Sequence, residues 1–117
     1  MQYLLLLYTN PEHWAAKSEA EIAAVVAEHG KLIAELEAGG KYLNSNALEW
    51  ASAATTVRIR EGRSLVTDGP FAETREQLGG YYLIDAKDLD DAMAIAARIP
   101  DAGVGGVEIR PVKNVGL

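Results

Sequence analysis

The chain has 117 residues, of which 49% are hydrophobic and 24% are charged, and it contains no cysteine. This length fits a single domain over residues 1–117, and the abundance of apolar residues excludes a low-complexity disordered chain. The longest apolar run, at residues 3–8, is far shorter than the roughly 20 residues that cross a bilayer, and it lacks the features of a signal peptide. The lack of cysteine excludes disulfides and zinc–thiolate sites, so we expect a cytoplasmic protein without membrane contact.

The charge balance is acidic. Seventeen acidic residues and eleven basic ones give a net charge of −6 and a pI near 4.8. Proteins that bind nucleic acids usually show a basic stripe or a pI above about 9, so we expect no DNA or RNA partner. A small anionic ligand could still find a local basic patch, because the local field matters more than the total charge.

The beginning of the chain is typical of a strand and a loop. Residues 2–8 form a continuous apolar run that ends at a proline turn, which indicates a short strand buried on both faces. Residues 10–17 are expected to form a loop that holds His13 and Trp14, either as a cleft rim or as a mobile surface loop.

A long helix is predicted over residues 19–38. Ser18 and Glu21 match the S-x-x-E capping box, and Gly39-Gly40 supplies the stop. The apolar positions recur at three- and four-residue steps, so they share one face that covers a sheet. This face consists of Ile22, Val25, Val26, His29, Leu32, Ile33 and Leu36. The histidine in the middle of this apolar stripe is its one unusual member.

The middle of the chain is predicted to be mostly β-structure. Residues 41–49 are a weak strand candidate because their alternation is poor. Residues 54–60 alternate well and are rich in β-branched residues, and residues 64–67 return as the partner strand after a turn at Glu61-Gly62. A short helical turn is expected over 72–78.

The last third completes the topology. A strand is predicted at 80–85, a helix capped by Asp88 and ended by Pro100 follows, and residues 107–112 form the closing strand. Because βαβ crossovers are right-handed, both long helices lie on the same face of one sheet. The pattern predicts a ferredoxin-like α+β sandwich, βαββαβ with extra strand material around 41–67. A second copy of the chain is the simplest cover for the other sheet face, so we expect a homodimer.

Two residues are candidates for catalysis, His29 and Asp68. Histidine is the default general acid/base at neutral pH, and a neighbouring carboxylate orients its ring and fixes its tautomer. The structural alternatives are a core histidine with one hydrogen bond and an aspartate that caps the turn after it. A metal site is not expected, because His13, His29 and Asp68 follow none of the known ligand spacings.

Four further residues are candidates for substrate binding: Tyr81, Tyr82, Phe71 and Arg58. The two tyrosines alternate across one strand, so one is expected to face the core and the other a cleft or a partner. Arg58 could hold an anionic group through a bidentate fork, although a solvated strand face also explains its position.

The run from 66 to 84 carries a family resemblance. Asp68-Gly69-Pro70-Phe71 and the segments at 72–76 and 79–82 resemble the DGPF branch of the YCII-related proteins, as do the leading strand and the closing strand. The resemblance covers nearly the whole chain. It implies a ferredoxin-like fold of the dimeric α/β-barrel superfamily and a His–Asp active site in a cleft, with His29 and Asp68 at the matching positions.

The resemblance also leads to a functional hypothesis with a rival. One relative of the wider family eliminates chloride from a chlorinated hydroxyquinol, which favours a lyase-like or dehydrochlorinase-like enzyme for an aromatic or enol-like substrate. In this hypothesis His29 moves the proton, Asp68 orients it, and no redox cofactor is needed. The rival is a non-catalytic ligand-sensing or protein-binding module, because some DGPF proteins are encoded beside sigma factors. A third interpretation treats His29 and Asp68 as a structural hydrogen bond only.

Overall fold

Six strands and three α-helices make up the chain, with short 3₁₀ turns at 51–53 and 100–103. The computed structural model describes residues 1–117. In chain order the elements are β1 (Gln2–Thr9), α1 (Pro11–Ala15), α2 (Glu19–Ala38), β2 (Tyr42–Ala47), β3 (Thr55–Arg60), β4 (Arg63–Asp68), β5 (Gln77–Asp85), α3 (Leu89–Ala97) and β6 (Gly106–Pro111).

Four of the strands form one antiparallel sheet. Their order is β2-β5-β1-β6, so the first and last strands of the chain pair at the centre and edge of the same sheet. The helices α2 and α3 follow β1 and β5 respectively. This arrangement confirms the predicted ferredoxin-like α+β fold.

The core lies on one face of this sheet. Tyr3, Leu5 and Leu7 of β1 are buried there, together with residues of α2, α3 and β5. The alternate residues of β1 are only half-buried, so the expectation of burial on both faces is wrong for the single chain. No element of the chain covers the opposite face, which we call the open face. Its apolar residues are Leu4, Leu6, Tyr8, Tyr81 and Leu83.

The helix α2 begins and ends as its sequence predicts. Ser18 and Glu21 form both hydrogen bonds of the capping box, and the following Gly40 has φ 70°, a conformation that glycine adopts without strain. Along the helix, only Leu32 and Leu36 are fully buried. The C-terminal half of α2 therefore packs on the sheet, while the apolar face of its N-terminal half stands away from it.

Two local predictions are wrong, those for residues 10–17 and 72–78. The expected loop at 10–17 contains the short helix α1, whose first turn is capped by the Asn10 side chain accepting from the Glu12 amide. The segment 72–78 is not helical, and β5 already begins at Gln77. The helix α3 ends at Ala97, before Pro100 as predicted, and Pro100 starts the 3₁₀ turn. Proline fits both roles because it lacks only an amide that the first turn of a helix leaves unpaired.

The strands β3 and β4 form a separate hairpin, which we call the arm. Glu61 and Gly62 both have positive φ, 51° and 73°, as a two-residue hairpin turn of the primed type requires. Every residue of β4 is exposed. The radius of gyration is 16.2 Å, larger than the roughly 13 Å of a compact chain of this length, because the arm projects from the sheet.

None of the helices is long and apolar enough to cross a bilayer.

Candidate active site

A cavity of about 540 Å³ lies between the N-terminal half of α2 and the sheet. We call it the main cavity. Its helix wall consists of Ile22, Val25, Val26, His29 and Ile33, and strands β1, β2 and β5 form its floor. The cavity exists because α2 is packed tightly only near Leu32 and Leu36. His29 lies on the boundary between the packed and the open halves of the helix.

Both ring nitrogens of His29 have polar neighbours. Nδ1 lies 2.5 Å from the Tyr82 hydroxyl, and Nε2 lies 3.2 Å from Oδ1 of Asp101. The second contact is close enough for an ion pair but lacks the alignment of a hydrogen bond, and Oδ1 is buried without a hydrogen-bond partner. All three side chains line the main cavity. Tyr82, His29 and Asp101 therefore form a continuous polar array in a mostly apolar wall.

The position of Asp101 depends on a tight turn between α3 and β6. Ile99 is buried, and Asp101 follows it in the 3₁₀ turn, where its carbonyl accepts from the Val104 and Gly105 amides. A Cβ on Gly105 would lie 2.0 Å from the Tyr8 carbonyl oxygen, so only glycine permits this approach to β1. The turn thus delivers a carboxylate to the cavity from an element far from α2 in sequence.

The two neighbours of His29 favour one tautomer of its ring. Burial, with smaller contributions from Asp101 and Tyr42, raises the pKa of Tyr82 to about 12, so its phenol keeps its proton at neutral pH and can donate to Nδ1. An imidazole with an unprotonated Nε2 would place its lone pair 3.2 Å from the Asp101 carboxylate, which is repulsive. The favoured neutral ring therefore carries its proton on Nε2 and accepts from Tyr82 at Nδ1.

Two tryptophans complete the wall of the main cavity. The Trp14 indole donates a hydrogen bond of 2.8 Å to the buried Thr9 hydroxyl, which ties α1 to the end of β1. Trp50 lies against β5 at Gly79, where a Cβ would come within 2.8 Å of its ring. The absence of a side chain at Gly79 therefore allows the indole to approach the strand closely.

Known proteins give the chain a family. The YCII-related domain matches residues 1–115. The chain is also 36% identical over 114 residues to an uncharacterized protein of Rhizobium meliloti (strain 1021), an alignment that covers 96% of this chain and 92% of that protein. The chain belongs to the YCII-related family. Assignment to the DGPF branch stays a prediction from the motif at 68–71.

Within this YCII-related domain, the expected contact between His29 and Asp68 does not form. Asp68 ends β4 and lines a second cavity of about 770 Å³, on the side of the sheet away from α2. His29 instead contacts Tyr82 and Asp101. The sequence places Asp68 at a strand end, and nothing in the separation of 39 positions shows to which side of the sheet the arm leads it.

The expected substrate-binding residues divide between the two cavities. Tyr82 is buried beside His29, whereas Tyr81 is half-buried and its hydroxyl accepts from the Asn46 side chain at 2.8 Å. Phe71 lines the second cavity. The Arg58 guanidinium stacks over the Phe71 ring at 4.3 Å, so it is not part of the main cavity.

Sequence reasoning missed Asp101 and Trp50 in this YCII-related domain. Asp101 follows Ile99-Pro100, a pattern that reads as an ordinary helix end. Trp50 lies in an irregular segment after β2 and shows no periodicity. The nearest sequence signal for Trp50 is the Gly79-Gly80 pair inside a strand, because glycine there often marks a close approach of another group.

The Trp50 wall is testable through Gly79→Ala. The added methyl overlaps the indole, so we expect Trp50 to be displaced and the free energy of unfolding to fall by about 1–3 kcal/mol. In a Trp14→Phe background, the fluorescence emission of Trp50 should shift to longer wavelength. Gly103→Ala is the matched control, since a Cβ there meets nothing within 4 Å. An unchanged emission maximum in Gly79→Ala would contradict this view of the wall.

Proposed function

We propose that this YCII-related domain is a small-molecule enzyme that uses acid/base catalysis on an aromatic or enol-like ligand in the main cavity, as a lyase or dehydrochlorinase does. The observation that carries the proposal is the Tyr82–His29–Asp101 array in the cavity wall. Buried polar groups normally have hydrogen-bond partners, because burying them without one is unfavourable. Here one carboxylate oxygen of Asp101 has no such partner, a feature that is concentrated at functional sites.

The proposed step removes a proton from the ligand. The proton is taken at Nδ1 of His29, directly or through the Tyr82 hydroxyl that contacts this nitrogen. In an elimination, the electron pair of the broken C–H bond forms a carbon–carbon double bond while the leaving group departs with its own bonding pair, for example as chloride. In a keto–enol conversion, the same pair forms the double bond of the enol while the carbonyl π pair moves onto oxygen. Asp101 stabilises the resulting imidazolium from the Nε2 side, the role that the sequence assigned to Asp68. No atom changes its oxidation state through an electron carrier, so the step needs no redox cofactor.

The role of His29 is tested with His29→Gln. A positioned acid/base contributes about 10²–10⁴-fold to the rate, so turnover should fall by that factor while the circular dichroism spectrum is unchanged. The assay uses two uncharged compounds: a chlorinated hydroxyquinol, followed by chloride release, and the enol of phenylacetaldehyde, followed by its ultraviolet absorbance. His13→Gln is the control, because the chain has two histidines and His13 does not line the main cavity. Full activity of His29→Gln on either compound would exclude the proposal.

The two candidate carboxylates are separated by Asp101→Asn and Asp68→Asn in the same assay. The geometry assigns the loss of turnover to Asp101→Asn, because only Asp101 faces the imidazole. If Asp68→Asn loses turnover and Asp101→Asn keeps it, the orienting role returns to the residue that the sequence motif predicts.

The route of the proton is tested with Tyr82→Phe. Removing the hydroxyl frees Nδ1 but breaks the contact of 2.5 Å, so we expect a drop in kcat of about 10-fold or more with little change in KM. Tyr3→Phe is the control, since it removes another buried hydroxyl on the same sheet face. A kcat of Tyr82→Phe equal to that of the parent would show that the hydroxyl only lines the cavity.

We further propose that the chain acts as a homodimer that covers the open face. The molecule measures 18 Å along its shortest axis, the depth of one helix layer on one sheet. A two-stranded hairpin is marginal in water by itself, and the arm exposes Val57, Ile59 and Val66. Glu108 and Arg110 form an ion pair at the edge of the open face. In a two-fold symmetric dimer, the same two residues of the partner subunit offer each of these charges a group of opposite sign.

The dimer is tested with Leu6→Lys at the centre of the open face. A charge there opposes burial, so sedimentation velocity should give 12.6 kDa for the variant and twice this mass for the parent. Val104→Lys is the control, because Val104 lies in the exposed loop before β6. A parent protein that sediments as a monomer at all concentrations would contradict the proposal.

The exposed arm also supports the rival function. Its apolar residues suit a protein-binding module, for which sigma-factor association is the hypothesis from the family resemblance. Ligand binding without turnover, together with a sigma factor recovered on the parent chain but not on an arm variant such as Val66→Lys, would favour this module over the enzyme.

A further inference from the structure

The main cavity has an unusual charge composition. No lysine or arginine lines it, and on the helix side of the sheet its charged or titratable side chains are His29, Asp101 and Tyr82. Two basic residues near α2 contact its carboxylates instead: Lys17, which precedes the helix, faces Glu21, and Arg98, at the end of α3, contacts Glu35. An anionic ligand would therefore find no positive partner other than a protonated His29, which already faces Asp101.

Asp101 makes one end of the main cavity negatively charged. Its side chain is nine-tenths buried, with 10% of its surface accessible, and its Oδ1 accepts no hydrogen bond. When His29 is neutral, no cation in the chain compensates this carboxylate. A buried charge without a partner is strongly unfavourable, and a ligand that brings a positive charge or a hydrogen-bond donor removes the penalty.

The remaining walls favour a flat, apolar ligand body. Trp14, Trp50 and Tyr82 present aromatic surface, and 11 of the 17 lining residues are hydrophobic. Aromatic faces attract both aromatic rings and cations. A cavity of about 540 Å³ lies within the usual range for small-molecule sites and accommodates a ring system with a short side chain.

We propose that the main cavity selects aromatic ligands that carry an ammonium group, admits uncharged ones more weakly, and rejects carboxylates and phosphates. The ring lies between the tryptophans and the helix wall, and the ammonium group lies at the Asp101 end. This inference rests on the proposed function in that it describes the ligand of the same cavity. Arg58, the candidate for holding an anionic group, does not line this cavity.

The experiment uses three probes of nearly equal size: 2-phenylethylamine, 2-phenylethanol and phenylacetate. Both tryptophans of the chain line the main cavity, so quenching of the intrinsic fluorescence reports binding directly. We expect the amine to bind at least 10-fold more tightly than phenylacetate, with the alcohol between them. Equal or tighter binding of phenylacetate, or no saturable quenching by any of the three, would overturn the inference.

Two controls separate the local carboxylate from the overall charge of −6. Asp101→Asn should reduce the preference for the amine to about 3-fold or less, whereas Asp90→Asn, which removes a charge from the exposed first turn of α3, should leave it unchanged. In 0.5 M NaCl the parent should keep its preference, because a buried charge is screened much less than exposed ones. If salt abolishes the preference for the amine, only the surface charge acts and the inference is wrong. This conclusion does not depend on whether Asp101→Asn folds.

The result of this binding experiment does not depend on whether the protein is an enzyme. The same titration on His29→Gln should preserve the order of the three probes, because the carboxylate remains. Binding in this order without catalysis on any compound would leave the ligand class standing and remove the enzyme. Catalysis together with tighter binding of anions would support the enzyme and overturn the inferred ligand class.

Discussion

The packing of Leu32 and Leu36 holds α2 to the sheet at its C-terminal end only. Toward the N-terminus the same apolar stripe continues, but it faces a void and not the sheet. An apolar helix face over an empty space costs free energy that close packing would recover, and proteins retain such space where a ligand occupies it. The candidate site is thus a consequence of one helix that is attached at one end, and His29 lies where the attachment stops.

The polar array in the cavity depends on a second constraint, the turn that carries Asp101. Gly105 brings this turn against the backbone of β1 more closely than any side chain would allow. Three unconnected elements then meet, with His29 from α2, Tyr82 from β5 and Asp101 from the turn before β6. Because each element is held by the core, the three groups are positioned before any ligand arrives, which is what proton transfer requires.

The sequence predicts the elements of this fold well, because each carries a local physical signal. The capping box at Ser18, the glycines after α2 and the β-branched alternation of β3 determine those elements within a residue or two. Whether His29 and Asp68 meet could not be predicted in the same way. It depends on where the arm leaves the sheet, which no local pattern encodes. The role of Asp101 could not be predicted from the sequence either, because only the folded chain brings this residue to α2.

One buried carboxylate connects the chemistry with the choice of ligand. The Asp101 carboxylate beside Nε2 of His29 favours the tautomer with a proton on that nitrogen, and Nδ1 faces the Tyr82 phenol. The same charge, in a wall of low dielectric, repels an anion and attracts a cation over the short distances of the cavity. In the proposed function, the carboxylate that faces Nε2 of His29 is therefore also the group that the charge of the ligand must match.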